Sequence, residues 1–333
     1  MRAIVIPQPG PPAVLTLRDV PSPPLGRGEV RVRVRATAVN RADLLQRMGL
    51  YPAPPDAPAD IPGLEYAGEI VELGDGAGAT HDAELGLRVG DRVFGLVGGG
   101  AYAEELVTPA RTLARIPDGM SFTDAAAIPE AFITAWDAIV TQARLESGEA
   151  LLIHAVGSGV GTAAAQLGRA RGATVIGTAR TADKLARARA LGVDEGIVPE
   201  GGRFADRVRA ATGGRGADVV LELVGGAYVA EDLYAVAERA RIVVVGLTAG
   251  TRGELDLGLL LRRRVSVTGT VLRARPLEEK IAAMRTFARH VVPLFAAGRL
   301  RPVVETVLPL AEAAKAHALV ASNATFGKVV LEV

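Results

Sequence analysis

One stretch limits the fold more than any other. Leu151-Leu152-Ile153-His154-Ala155-Val156-Gly157-Ser158-Gly159-Val160-Gly161 runs from an apolar strand through a glycine turn into a helix. Further strand candidates follow at 174–178, 196–198, 218–222, 242–245 and 266–269, and helical patterns such as 185–191 separate most of them. Apolar runs without alternation, such as Ile242-Val243-Val244-Val245, suit strands covered on both faces. Crossover helices then make a doubly wound parallel sheet. The uncharged stretch 150–168 is no membrane span, because His154, Gln166 and four glycines interrupt it.

The turn itself points to a ligand. Small residues let the backbone approach a pyrophosphate, and the helix that follows offers free N–H groups and a positive dipole end. Gly157, Ser158, Gly159 and Val160 are the residues placed for that role. The strict G-x-G-x-x-G spacing is not met, since Thr162 stands at the final position. At the end of the second strand the chain reads Gly177-Thr178-Ala179-Arg180-Thr181, with no acid to accept ribose hydroxyls. Thr178 marks that cofactor edge. Arg180 and Lys184 can neutralise a 2′-phosphate; read otherwise, they are solvated cations at a helix start. NADPH is therefore expected over NADH. Gly246 and Leu247 end a later strand, on the side where open α/β sheets hold ligands.

The N-terminal third is of another kind. Glu29-Val30-Arg31-Val32-Arg33-Val34-Arg35 alternates charged and apolar residues, as a half-buried antiparallel strand does. Proline and glycine clusters at 21–28, 52–62, 74–78 and 98–100 suggest short strands in a small barrel or distorted sandwich. The pattern changes near Pro117. After Pro276 come an amphipathic helix to about Val291, a strand near 303–308, a helix from Ala311 and a last strand at 328–333.

Composition narrows the function. A length of 333 residues suggests two domains, and 49% hydrophobic content excludes disorder. A net charge of +1 argues against a nucleic-acid or membrane-surface partner. There is no cysteine, which removes disulfides, a thiol nucleophile and any thiolate metal site. His81, His154, His290 and His317 do not pair at helix-face or finger spacing, so no metal site is expected. The apolar run 3–6 stops at Pro7, short of a signal segment, and a cytoplasmic enzyme is expected.

Several motifs carry a family resemblance. Asn40 to Arg47 with Gly49-Leu50-Tyr51, then Pro62 to Gly68, Val89-Gly90-Asp91-Arg92-Val93, Ile128 to Trp136, the glycine turn and the closing Phe326 to Leu331 occur in order along the chain. Together they resemble the zinc-free quinone oxidoreductases of the medium-chain dehydrogenase/reductase superfamily, nearest to the tumour-suppressor-inducible subgroup. The resemblance implies an α/β fold, a Rossmann sheet inserted in a GroES-like β-barrel catalytic domain. Its parts would be 1–122 (catalytic), 123–265 (NADP-binding) and 266–333 (return to the catalytic domain, its first strand still in the Rossmann sheet). The nicotinamide would lie in the cleft between them. Thr134 would sit near the nicotinamide ribose, and Val271, Leu272 and Asn323 would line the cofactor. A tyrosine that quinone reductases often place near the third strand is Pro199 here, which leaves Arg180 and Lys184 to hold a 2′-phosphate.

Without thiolate-bound zinc, an acceptor that takes hydride readily is expected, a quinone or an activated enone. Tyr51, by resemblance and by its place after the Asn40 segment, is the candidate donor to the acceptor oxygen; its other reading is a lid residue. Asn40 either bonds substrate or nicotinamide or holds a turn. Glu65 reads as a buried structural carboxylate and Asp91 as a turn-fixing one. The resulting expectation is an NADPH-dependent quinone oxidoreductase. The alternatives are an enone, alkenal or enoyl-thioester reductase, and a nucleotide-binding protein with incidental catalysis. A homodimer is expected through the edge formed by 265–272, which would otherwise be unprotected.

Overall fold

The computed structural model describes residues 1–77 and 86–333, so His81 lies outside the described residues. The chain divides into two units, Met1–Ile133 with Leu272–Val333, and Thr134–Val271.

The first unit opens with the antiparallel pair β1 (Arg2–Val5) and β2 (Thr16–Asp19). The alternating segment forms β3 (Glu29–Ala38), whose Val30, Val32 and Val34 are buried while Arg33 and Arg35 face water. After helix α1 (Arg41–Arg47), strands β4 (Glu65–Leu73), β5 (Arg92–Leu96), β6 (Glu105–Pro109) and β7 (Leu113–Arg115) build on β3. Two register shifts between β3 and β4 bend the sheet, as bulges do. Helix α2 (Phe122–Ala126) packs on β3 and β4, and the chain leaves this unit within α3 (Pro129–Trp136).

The second unit is one parallel sheet. Along the chain run β8 (Ala150–Ile153), α4 (Gly159–Ala170), β9 (Thr174–Thr178), α5 (Ala182–Arg189), β10 (Glu195–Ile197), α6 (Ala205–Ala211), β11 (Ala217–Glu222), α7 (Ala227–Ala235), β12 (Val236–Val244), α8 (Leu257–Arg263) and β13 (Ser266–Gly269). The order is β10-β9-β8-β11-β12-β13. It reverses between β8 and β11, the switch point where open α/β sheets bind ligands. Strand β12 begins ahead of its apolar run, because Val236 pairs with Ala217 before a register shift.

The return segment gives α9 (Leu277–His290), α10 (Val292–Ala296), β14 (Val304–Pro309), α11 (Ala313–Ala321) and β15 (Lys328–Glu332). Helix α9 buries Ile281, Met284 and Phe287, and Phe287 meets Phe94 edge-on at 5.8 Å. Strand β15 pairs antiparallel with β3, so the end of the chain completes the first unit's sheet. The units divide at Thr134 and after Val271, and the strand at 266–269 lies in the parallel sheet. Residues 123–133 stay with the first unit because α2 lies on its sheet, and 266–271 stay with the second because β13 pairs β12. No helix among the described residues is long and apolar enough to cross a membrane.

Candidate functional site

In the second unit, the glycine turn leaves β8 at the switch point. Ser158 caps α4, its Oγ accepting the Gly161 N–H at 3.0 Å. The N–H groups of Gly159 and Val160, first in the helix, have no intrahelical acceptor and point out of its start. Gly161 is the residue that shape requires: a Cβ there would lie 2.6 Å from the Ala155 oxygen and 2.7 Å from Val156 Cα. The close helix–strand approach missing from the spacing at Thr162 is thus supplied one residue earlier. Val156 N–H donates to the Thr178 carbonyl at 2.9 Å, tying the turn to the end of β9.

The other expected cofactor residues of this unit divide by exposure. Arg180 is exposed and Lys184 half-buried, both just past the end of β9. The Thr178 side chain turns inward, buried, with its hydroxyl on His154 Nδ1 at 2.9 Å. Gly246 packs on the end of β11, where a Cβ would stand 2.6 Å from the Leu223 oxygen. Leu247 and Val271 are exposed. Thr134 is buried, and its hydroxyl oxygen has no hydrogen-bond partner among the described residues.

The first unit holds a polar network around α1. Glu65, at the start of β4, is fully buried and pairs with Lys328 Nζ at 2.7 Å. Its oxygens also accept the Asn40 side-chain amide at 2.8 Å and the Glu130 N–H at 2.7 Å. Asn40 donates again to the Ala38 carbonyl and accepts from Lys328, so its side chain serves the structure around α1. Asp43 accepts the N–H groups of Asn40 and Gly63 and the Tyr102 hydroxyl. Burial pushes Asp43 up to about 6 despite these bonds. Arg47, always a donor, meets His317 Nδ1 at 3.4 Å, which leaves Nε2–H to face Tyr102. Burial, then Arg47, pulls His317 down to about 3. Asp91 accepts the Arg88 N–H across the turn before β5.

Tyr51 stands at the edge of this network, half-buried. Burial raises its phenol above the usual value; Arg273 opposes this and Glu130 adds to it. The phenol is therefore a neutral donor at physiological pH. The Arg273 guanidinium lies 5.2 Å from the centre of its ring and is held by Gly98 O at 2.7 Å, Gln46 Oε1 at 2.6 Å and Tyr51 O at 3.3 Å. Leu272 beside it is half-buried, and the exposed Asn323 accepts from Arg41.

Sequence reasoning missed three features. Arg273 follows an expected lining pair but has no pattern of its own. Burial, then Glu65, pushes Glu130 up to about 8, so its carboxyl holds a proton at neutral pH. In the second unit, His154 meets Asp232 at 2.8 Å and Glu222 at 3.9 Å, although no nearby sequence spacing links the three.

Comparison with known proteins accords with this division. Residues 26–118 match the alcohol dehydrogenase GroES-like domain, and residues 159–289 match the zinc-binding dehydrogenase family. The chain is 39% identical over 283 residues to erythronolide synthase EryA2 of Saccharopolyspora erythraea, covering 78% of the chain. It spans only 8% of that protein's length, and no more than 14% of the related synthases it matches. It is 31% identical to quinone oxidoreductase of Rattus norvegicus, covering 99% of this chain and 97% of that one. Among solved structures, Escherichia coli quinone oxidoreductase complexed with NADPH matches with a TM-score of 0.85 and 28% identity, over 100% of both chains. An NAD-dependent alcohol dehydrogenase matches with 0.87 and 35%, also over 100% of both. With the GroES-like sheet in one unit and the doubly wound sheet in the other, the chain belongs to the medium-chain dehydrogenase/reductase superfamily and is quinone oxidoreductase-like within it.

Proposed function

We propose that the protein is an NADPH-dependent reductase that delivers hydride to a quinone without a metal. The observation that carries this reading is the turn at the switch point, where Gly161 packs against Ala155 and the first N–H groups of α4 face outward. That cradle fits a pyrophosphate. Thr134 adds a buried hydroxyl that has no partner among the described residues, as a cofactor-facing group would. Arg180 and Lys184 favour NADPH over NADH, by charge on a 2′-phosphate. When bound, the nicotinamide supplies the hydride.

The chain's own part is binding, orientation and a proton. Tyr51 donates its phenolic hydrogen to the acceptor oxygen as negative charge develops there. Arg273, fixed by three acceptors, adds positive charge beside that phenol. Asn40 and Glu65 hold the α1 region rather than the acceptor. With no cysteine in the chain, a thiolate-bound zinc is not available to polarise the acceptor.

A second reading is favoured by the 37% identity to a pikromycin polyketide synthase component: reduction of an enone, alkenal or enoyl thioester on the same scaffold. Following NADPH and NADH absorbance with a panel of quinones, enones and enoyl thioesters decides between them. Faster turnover of a quinone than of any enone is expected. Preference for an enoyl thioester overturns the quinone assignment, and loss of turnover on chelation, restored by zinc, overturns the metal-free one. We also infer a homodimer: β13 ends the sheet with four exposed residues, an edge that pairing with a second copy would cover. A monomer mass by light scattering at micromolar concentration overturns it.

A further inference from the structure

His154, Glu222 and Asp232 are fully buried at the carboxyl ends of β8 and β11 and on α7. Their bonds run in one direction. The Thr178 hydroxyl lies 2.9 Å from His154 Nδ1, and His154 Nε2 lies 2.8 Å from Asp232 Oδ1. One carboxylate oxygen of Glu222, one of Asp232 and a ring nitrogen of His154 lie within 4.8 Å of one another, and Glu222 Oε1 accepts the N–H groups of Val224 and Gly225. With both acids ionised, Glu222 Oε2 and Asp232 Oδ2 have no partner. Among the described residues no lysine or arginine pairs with either. Two buried, unpaired anions in contact are strongly disfavoured, and one shared proton removes both faults. Thr178 then donates to Nδ1, Nε2–H donates to Oδ1, and the carboxyl pair carries one negative charge instead of two.

The cluster is built into the ligand-facing edge of the sheet. Ile153 and Leu221 are register partners, so the glycine turn and the Val224–Gly225 loop leave the sheet side by side. Glu222 holds that loop by its N–H groups, and Thr178 holds Val156 by its carbonyl. We propose that Glu222 and Asp232 share one proton beneath the glycine turn, and that these two residues, with His154, position the dinucleotide, which binds the protonated cluster more tightly. This rests on the dinucleotide reading above. A second negative charge there would repel the cofactor's phosphates and push Glu222 off the loop it holds.

The surroundings agree. Phe204 and Tyr228 close over the imidazole with ring centres at 4.7 and 5.0 Å. The other charged groups facing the cluster are Glu231, which spends Oε1 on the N–H groups of Phe204 and Ala205, and Arg180, which acts on Tyr228. Burial pushes Asp232 up to about 8 and Glu222 up to about 7, and pulls His154 down to about 4. Near neutral pH the imidazole is thus neutral and the carboxyl pair carries the proton.

The test is a fluorescence titration of the whole protein with NADPH, and with NADH, from about pH 6.5 to about pH 9, for wild type and Glu222→Gln. One pH unit above the pair's titration about a tenth of the molecules keep the proton, so the wild-type Kd rises about tenfold. In Glu222→Gln the new side-chain amide would donate to Asp232 in place of that proton and keep the two backbone bonds, so the variant's Kd stays within about twofold across the range. Parallel profiles in the two proteins overturn the proposal. One equivalent of a divalent metal retained by wild type and lost in Glu222→Gln also overturns it. Failure of either cofactor to bind wild type at the lower pH defeats the functional reading instead. The shared proton is then judged by infrared difference spectra: both proteins show the carboxylic-acid band of Glu130, a further band at low pH in wild type that Glu222→Gln lacks is expected, and identical bands in the two proteins refute the shared proton.

Discussion

Glu65 in the first unit and the Glu222–Asp232 pair in the second are buried carboxylates neutralised in different ways. In the first, Glu65 meets Lys328 at 2.7 Å, with Asn40 and the Glu130 N–H completing its shell. In the second, Glu222 and Asp232 cluster with a neutral imidazole, one ligand atom of each within 4.8 Å of the others, and the cations Arg180 and Lys184 lie past the strand end. A lysine can be buried when its partner and acceptors are provided, and Lys328 has Glu65, Asn40 and the Val39 carbonyl. At the switch point of the parallel sheet the packing is close, since a Cβ on Gly161 would lie 2.6 Å from the Ala155 oxygen and 2.7 Å from Val156 Cα. A proton is the smaller counter-charge. The lesson is that buried charge can hold a scaffold in one unit and tune a ligand edge in the other.

The largest effect should come from breaking the first arrangement. Lys328→Met leaves Glu65 buried without its cation and is expected to cost about 3–5 kcal/mol in denaturant unfolding. Adding Glu65→Gln should recover part of that loss; an additive double variant would mean that the pair does not act as one. Next, removing the outer cations of the second unit sharpens the contrast between surface and interior charge. Arg180→Ala with Lys184→Ala should weaken NADPH by about 1.5–3 kcal/mol per lost phosphate contact, toward the lower figure because Arg180 is exposed, and NADH much less. Equal losses for both cofactors, or tighter NADH in the wild type, would end the NADPH assignment.

A pH experiment addresses the buried imidazoles. His317 is pulled to about 3, below the unfolded value, so the stability it contributes is complete above about pH 6.5 and is lost as pH falls from there. Relative to His317→Gln, wild type should lose about 1.4 kcal/mol per pH unit below that point. A gap that does not change with pH would show that His317 is already charged in the fold. The smallest effect concerns Tyr51. Tyr51→Phe should lower turnover about tenfold or less, because one donor to an oxyanion has a ceiling of roughly a thousandfold and a quinone needs less help than a ketone. The loss should be greater with enones than with quinones. Equal turnover across both acceptor classes, with cofactor affinity intact, would make Tyr51 a lid residue.

Much of the architecture was legible because short periods report burial directly. The alternation at 29–35 marked β3, and the unbroken run at 242–245 marked a strand covered on both faces. The glycine turn was legible too, as was the sheet-edge position of 266–269. Thr178 ends β9, and its side chain faces His154, which residue order along one strand could not reveal.

By itself, then, the sequence determined the element types, the parallel sheet with its turn, and the exclusion of thiolate chemistry, since these follow from local periodicity and from which side chains exist. Only the tertiary structure decided who meets whom. His154 and Asp232 are 78 positions apart, Asn40 and Lys328 are 288, and Gln46 and Arg273 are 227. Such pairs form where separate strands and helices end together. Burial at those meeting points sets the protonation of Glu130, Asp232 and His317, because desolvation depends on surroundings drawn from the whole chain.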